Sequence, residues 1–171
     1  MQTSLIITIL GPDKTGLVKS LSKTLKTFNG NWTESRMIHL AGKFAGLVHV
    51  SIAAEQVDDL TKALLALESE TFKISIDQSD IALDTSGKQI MSLELLGQDR
   101  PGIIQDITEQ LACLKVNIEE LESEIKEASM AGGMLFSAQL KLSLPENVSP
   151  EAVQDSLESM SDQFMVDINF S

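Results

Sequence analysis

The hydrophobic and polar positions of this chain follow one pattern that occurs twice. Residues 3–10 alternate, with Leu5, Ile7 and Ile9 on one face, which is typical of a strand with one buried side. After a short turn, apolar residues recur at helical spacing: Leu17, Val18, Leu21, Leu25 and Phe28. The beginning of the chain therefore predicts a strand, a tight turn and an amphipathic helix.

The rest of the first half predicts a hairpin, a second helix and a closing strand. Residues 32–40 and 44–53 flank a short turn at Gly42 and Lys43, and we interpret them as a β-hairpin. Residues 57–68 have helical periodicity, and residues 72–77 alternate again. The predicted order is β-α-β-β-α-β, which is the ferredoxin-like split βαβ arrangement.

The pattern restarts in the second half of the chain. Residues 11–18 (GPDKTGLV) recur as residues 97–104 (GQDRPGII), an offset of 86 (97 − 11). The apolar positions of the first strand and helix recur at the same offset as Met91, Leu93, Leu95, Ile103, Ile104, Ile107, Leu111 and Leu114. Ser149 and Pro150 predict the start of the second helix of this half, as N-cap and first helical residue. So many matches indicate an internal duplication.

We therefore predict an α+β protein made of two ferredoxin-like βαββαβ units, each an antiparallel sheet with its helices on one face. The predicted units are residues 1–78 and residues 88–171. The polar segment 79–87 is predicted to link them, with room for a short edge strand at residues 81–83.

The repeated strand-to-helix turn is the strongest candidate for a binding site. Backbone N–H groups at a helix N-terminus lack acceptors within the helix, so they can bind an anion. A plain capped helix explains part of the motif, because Asp13 and Asp99 suit an N-cap and Pro101 suits a first turn. Gly16 and Gly102 suit it less well, since glycine in a first turn costs about 1 kcal/mol relative to alanine. Close approach of a ligand or of another chain segment is the alternative explanation.

Composition narrows the functional classes. The net charge of −12 argues against nucleic-acid binding, which needs a basic surface. Cys113 is the single cysteine and lies among apolar residues, so we expect a small buried group and no disulfide within the chain, in keeping with a reducing compartment. No basic leader precedes the first strand and no apolar run is long enough to span a bilayer, so we expect a cytoplasmic protein without membrane contact.

The sequence gives little support for catalysis. His39 and His49 lie in the first hairpin without other residues at metal-ligand spacing, and no Gly-x-Ser-x-Gly elbow is present. We expect no enzymatic activity, no metal and no cofactor, which leaves a small ferredoxin-like enzyme as the least favoured alternative.

The repeated motif resembles that of ACT domains, small β-α-β-β-α-β modules that sense amino acids. The resemblance rests on an apolar strand, the pattern Gly-x-Asp-(Lys/Arg)-x-Gly-(Leu/Ile)-(Val/Ile), a helix, and an asparagine opening the next strand, Asn31 or Asn117. As a pair of units without a catalytic or DNA-binding domain, the chain is similar to the regulatory proteins related to the glycine cleavage system transcriptional repressor. The resemblance also implies that the two units join side by side as an eight-stranded pseudo-dimer.

The resemblance implies a ligand site as well. ACT domains usually hold their effector near the first strand-to-helix turn, at a seam between two units. The residues carried over are Gly11, Pro12, Asp13, Lys14, Thr15, Gly16, Leu17 and Asn31, with Asp99, Arg100, Pro101, Gly102, Ile103 and Asn117 in the second repeat. A carboxylate could bind the N–H groups of Thr15, Gly16 and Leu17, and the Asn31 amide could both donate and accept. Asp13 could contact an ammonium group or act only as a cap.

The implied function is that of a regulatory protein that binds a small amino acid, glycine or similar. It would act on transcription of amino-acid metabolism indirectly, through a protein partner such as a transcriptional activator, and a homodimer is compatible with this role. The alternative is a ligand-free interaction module that docks a partner through edge strands or helices. The two turns need not bind the same ligand, because the repeats differ in charge.

Overall fold

The chain folds as two compact units, Met1–Asp84 (unit 1) and Thr85–Ser171 (unit 2). The computed structural model describes residues 1–12, 15–79, 89–127, 133–160 and 164–169. The predicted linker and its edge strand lie largely outside the described residues, so the predicted boundaries 1–78, 79–87 and 88–171 stay predictions.

Unit 1 has the predicted order of elements. Its strands and helices are β1 (Gln2–Pro12), α1 (Leu17–Thr27), β2 (Asn31–Leu40), β3 (Lys43–Ala53), α2 (Val57–Leu65) and β4 (Lys73–Ser79). The strands form one antiparallel sheet in the order β2-β3-β1-β4. The first and third strands are therefore neighbours in the middle of the sheet, as a split βαβ arrangement requires.

Unit 2 repeats this topology. It consists of β5 (Gln89–Gln98), α3 (Ile103–Cys113), β6 (Asn117–Glu127), β7 (Met134–Leu144), α4 (Pro150–Glu158) and β8 (Phe164–Asn169). Its antiparallel sheet has the order β6-β7-β5-β8. These two units confirm the predicted α+β class, whereas the side-by-side eight-stranded arrangement stays a prediction.

Each unit buries one face of its sheet beneath its two helices. Leu5, Ile7 and Ile9 share one core with residues of α1 and α2, and Met91, Leu93 and Leu95 share the other with residues of α3 and α4. All six strand residues are at most 2% exposed, which confirms the predicted inner faces. Burial of such aliphatic side chains is the main force that holds a unit of this size together.

The predicted helix faces need two corrections. Val18 is 40% exposed, so the buried stripe of α1 comes down to Leu21 and Leu25. Cys113 is exposed rather than buried. It follows Leu111 by two residues, and two steps of about 100° carry a side chain to the opposite face of a helix. Its apolar sequence neighbours therefore did not indicate burial.

The ends of the elements also repeat between the units. Asn29 and Lys115 both have a left-handed backbone, with φ of 55° and 57°, and they end α1 and α3 in the manner expected for helix C-termini. A register shift interrupts β2 at residue 33 and β6 at residue 119, which explains why residues 32–40 do not alternate cleanly. Ser149 accepts a hydrogen bond from the N–H of Ala152, which confirms the predicted N-cap of α4. Among the described residues, no helix has the length and apolar character that crossing a membrane requires.

Candidate functional site

The two strand-to-helix turns share one unusual backbone conformation. Gly16 is the N-cap of α1 with φ of 96° and ψ of −5°, and Gly102 is the N-cap of α3 with φ of 85° and ψ of 0°. An N-cap residue normally has an extended backbone and a side chain that accepts a hydrogen bond. Here both caps are left-handed glycines, so neither helix has a side-chain cap.

This geometry corrects the predicted roles of the acidic and proline residues. Because the helices begin at Leu17 and Ile103, neither Asp13 nor Asp99 is at the N-cap. Pro101 precedes the cap and is not in the first helical turn. Asp13 and Lys14 themselves lie outside the described residues, so their predicted contacts with a ligand stay predictions.

The glycines of the strand-to-helix turns are needed for two different reasons. A Cβ built on Gly16 would meet no atom within 4 Å, and the same holds for Gly102. Their positive φ therefore explains why glycine is needed, rather than close approach of the chain. Close approach occurs instead at Gly11, where an added Cβ would lie 2.8 Å from the Phe72 ring and 3.4 Å from the Thr71 carbonyl oxygen.

The helix start determines which backbone N–H groups lack an acceptor within the helix. The first helical hydrogen bond of α1 runs from the N–H of Ser20 to the Gly16 carbonyl at 2.9 Å. The N–H groups of Gly16, Leu17, Val18 and Lys19 therefore have no acceptor within the helix, so Val18 and Lys19 join the predicted Gly16 and Leu17, whereas Thr15 precedes the helix. In α3 the N–H of Asp106 bonds to the Gly102 carbonyl at 3.0 Å, which gives the same offset. Sequence reasoning missed Val18 and Lys19 because it put the helix start at Asp13.

The turn of unit 2 contains an ion pair. The Arg100 guanidinium contacts the Asp106 carboxylate, and it also lies 3.5 Å from the Pro101 carbonyl oxygen. The N–H of Asp99 donates to the Met134 carbonyl at 3.0 Å, which ties this turn to β7. The positive end of the helix dipole stabilises a carboxylate near the first turn of α3. The Asp106 carboxylate therefore competes with any anionic ligand for this positive helix end and for the Arg100 guanidinium. Unit 1 has Ser20 at the position of Asp106.

The structure places Asn31 far from the turn of its own unit. Asn31 pairs with Ser51, and Ser51 pairs with Ser4 at the start of β1. Gly11 lies seven residues further along β1, which corresponds to roughly 23 Å at about 3.3 Å per residue. Asn31 and the turn of its own unit therefore cannot contact one small ligand together, because β2 begins at the opposite end of the sheet.

Unit 2 repeats this separation. Asn117 pairs with Ser143, which pairs with Ile90, again seven residues before the glycine that ends the strand, Gly97. The amide nitrogen of Asn117 donates to the Glu119 carboxylate at 2.8 Å. Each unit thus brings its turn residues together at one end and leaves its asparagine at the other.

Solved structures share this fold over the whole chain. A protein of unknown function from Galdieria sulphuraria is 29% identical, with a TM-score of 0.84 over 99% of this chain and 98% of the other. A proposed glycine cleavage system transcriptional repressor is 14% identical, with a TM-score of 0.72 over 100% of this chain and 99% of the other. The second likeness is evidence for the fold alone. No curated protein sequence matches the chain.

A family model describes both halves of the molecule. The model of the ACT domain matches residues 3–77 and residues 89–171, the segments that contain the duplicated sheets and turns. Together with the repeated βαββαβ topology, these two matches show that the chain belongs to the ACT-domain family.

Proposed function

We propose that this chain is a non-enzymatic regulatory protein that binds a small amino acid at the strand-to-helix turn. One observation carries the proposal: the turn occurs twice with an exposed, left-handed glycine at the N-cap of the helix. Such a start presents backbone N–H groups and the positive end of the helix dipole to a carboxylate.

Unit 1 is the better amino-acid site of the two. The helix start of unit 2 already has the Asp106 carboxylate next to it, and the amide of Asn117 is already bonded to Glu119. Unit 1 has uncharged residues at both equivalent positions, Ser20 and Thr33. An amino-acid carboxylate would therefore meet less repulsion in unit 1.

The remaining contacts of the ligand follow from the sheet register. The N–H groups of Leu17, Val18 and Lys19 would bind the carboxylate, with Asp13 proposed for the ammonium group. Since Asn31 is roughly 23 Å from its own turn at about 3.3 Å per residue, a turn and an asparagine could share one ligand only if they come from two ACT units.

The regulatory output would pass through another protein. The net charge of −12 disfavours direct contact with DNA, so an effect on transcription would need a protein partner such as a transcriptional activator. Glycine or a similarly small amino acid is the first ligand to test, because a structural relative is a proposed glycine cleavage system repressor. A cytoplasmic location is part of this proposal.

The test is a thermal-shift and calorimetric screen of the full chain against the common amino acids. A ligand that binds only the folded state raises the melting temperature with concentration. Thr15→Glu should abolish this shift, because it adds a carboxylate just before the helix start where the ligand carboxylate binds. The melting temperature without ligand should hold or rise, because that charge is favourable near a helix N-terminus.

Matched variants make this test specific. Thr15→Gln has nearly the same size without the charge, so it should keep the ligand-induced shift. Pro101→Glu, at the equivalent exposed position of unit 2, should change the shift little, as should its neutral control Pro101→Gln. A screen in which no amino acid raises the melting temperature would reject the proposal and favour the ligand-free interaction module.

A further inference from the structure

The two sheets differ on their outer faces, the faces that the helices leave uncovered. In unit 1 four large apolar side chains lie together on this face, and we call them the apolar patch: Leu10, Ile38, Leu40 and Leu47. They are 51%, 57%, 70% and 51% exposed. The strand register makes them neighbours, since Leu10 and Ile38 both pair with Ala45, and Leu47 and Leu40 lie in the adjacent rows. Large side chains this exposed on one surface mark an interaction site.

Unit 2 shows that the fold does not require this patch. The residues at the four equivalent positions are Leu96, Glu124, Lys126 and Gln139. A sheet of the same topology and register therefore forms with three of the four leucine or isoleucine side chains replaced by polar ones. The inner faces, in contrast, are aliphatic in both units. Folding of the sheet therefore does not account for the patch.

The charged residues at the two ends of the patch have opposite signs, and Arg36 lies between the ends, in the row of Leu47, with its guanidinium 3.5 Å from the Glu34 carboxylate. Lys73 pairs with Leu10 and Lys43 pairs with Leu40, so the cations lie at the end near Pro12. At the other end, Asp77 pairs with Ile6, and Glu34 lies in the same row across His49. All five charged residues are exposed.

A shallow depression lies at the acidic end of this face. This depression of unit 1 has a volume of about 210 Å³, and its lining includes the apolar Ile6 and Leu47 and the polar Glu34, Arg36 and His49. A depression at the same place in unit 2 has a volume of about 280 Å³. In unit 2 Ser92 and Gln139 occupy the positions of Ile6 and Leu47, so the depression of unit 1 is the more apolar of the two. The rows that contain Leu10 and Ile38 lie beside it, nearer the basic end.

We propose that two copies of the chain associate through the outer faces of their first units. A two-fold axis near the row of Thr8 and Leu47 would put the basic end of each face against the acidic end of the other. Lys73 of each copy would then face Asp77 of the other, and Ile38 of each would face the depression of the other. Such a self-complementary surface is what a two-fold dimer requires, and sheets pack face to face at about 10 Å.

A different arrangement of two copies fits the charges less well. With the strands of the two copies parallel, the basic ends of the two faces, which contain Lys43 and Lys73, would lie together, and like charges across an interface repel. Of the four equivalent positions on the outer face of unit 2 only that of Leu96 is apolar, so unit 1 against unit 1 buries more apolar surface than unit 1 against unit 2. The association does not depend on amino-acid binding.

Sedimentation velocity of the full chain over a concentration series tests the proposal. The wild type should form dimers, and the triple variant Ile38→Glu, Leu40→Lys, Leu47→Gln should be monomeric at the same concentrations. These are the residues that unit 2 has at the same positions, so the sheet should tolerate them, and circular dichroism with a thermal melt checks the fold. Leu65→Gln removes a 42% exposed leucine from α2 and should leave the dimer intact.

A charge-reversal pair tests the orientation of the two copies. Lys73→Asp should weaken the dimer, and adding Asp77→Lys to the same chain should restore it, because each new charge then faces its opposite in the other copy. A wild type that is monomeric throughout the series would overturn the proposal and leave the patch for a different protein. A dimer that survives the triple variant would also overturn it, as would a failure of Asp77→Lys to restore association.

Discussion

The two units have kept the same inner face and acquired different outer faces. Leu5, Ile7 and Ile9 in one unit correspond to Met91, Leu93 and Leu95 in the other, and all are buried. On the opposite side of the same strands, the apolar patch of unit 1 corresponds to mostly polar residues in unit 2. A core tolerates few changes of shape, whereas an exposed face is free to specialise. The contrast therefore separates what the fold requires from what each unit does.

The edge strands show the same contrast. The β6 strand has five glutamates, Glu119, Glu120, Glu122, Glu124 and Glu127, whereas the equivalent β2 strand has one glutamate and one arginine. Charged side chains along an edge discourage pairing with another strand, so β6 is better protected from association than β2. The hydrogen bond and the charge of Glu124 raise the pKa of Lys126, so this lysine stays charged well above neutral pH. The edge of unit 1 is therefore less protected from association than the edge of unit 2.

The largest expected effect concerns what the units share. Leu21→Ala in α1 and Ile107→Ala in α3 should each lower the free energy of unfolding by about 2–5 kcal/mol, because each removes an aliphatic side chain that is 1% exposed. Urea denaturation measures both. Lys23→Ala, on the exposed side of α1, should change stability little, and a loss equal to that of Leu21→Ala would mean that the helix faces are assigned incorrectly.

The second effect tests the left-handed glycines. Gly16→Ala and Gly102→Ala should each destabilise by about 1–2 kcal/mol, because a Cβ is unfavourable at positive φ. If these glycines were inside a helical turn, as the sequence alone suggests, Gly→Ala would instead keep or raise the stability. Asparagine tolerates this backbone better, as at Asn29, so Gly16→Asn should cost less than Gly16→Ala in the same denaturation experiment. Equal melting temperatures for wild type and Gly16→Ala would contradict the observed backbone.

These two predictions mark how far the sequence could be interpreted. The alternation of β1 and the spacing of Leu21 and Leu25 predict the core correctly, because burial imposes a period on the whole element. The start of α1 was misplaced, because Asp13 is a common cap and a left-handed glycine leaves no periodic trace. The position of Asn31 depends on which strands pair and in which register, and the motif itself contains no information on that. The exposed apolar patch could not be predicted from the sequence either, because strand pairing and register bring its residues together.

The smallest expected effect on stability gives the sharpest test of the difference between the turns. Ser20→Asp places in α1 the carboxylate that α3 has at Asp106, and it should reduce the amino-acid-induced thermal shift of the full chain. Stability without ligand should change by less than about 1 kcal/mol, since exposed charges near a helix N-terminus contribute only tenths to one. Ser20→Asn, of the same size without the charge, should keep the shift.

The reciprocal change completes this test of the comparison. Asp106→Ser gives unit 2 the residue of unit 1 and removes the ion pair with Arg100, at a cost of about 0–1 kcal/mol for a pair that is more than a third exposed. If the carboxylate of Asp106 is what keeps a ligand from this helix start, calorimetry should detect a second binding event in Asp106→Ser that the wild type lacks. An unchanged stoichiometry in Asp106→Ser, together with full binding in Ser20→Asp, would show that the charge at this position does not distinguish the two units.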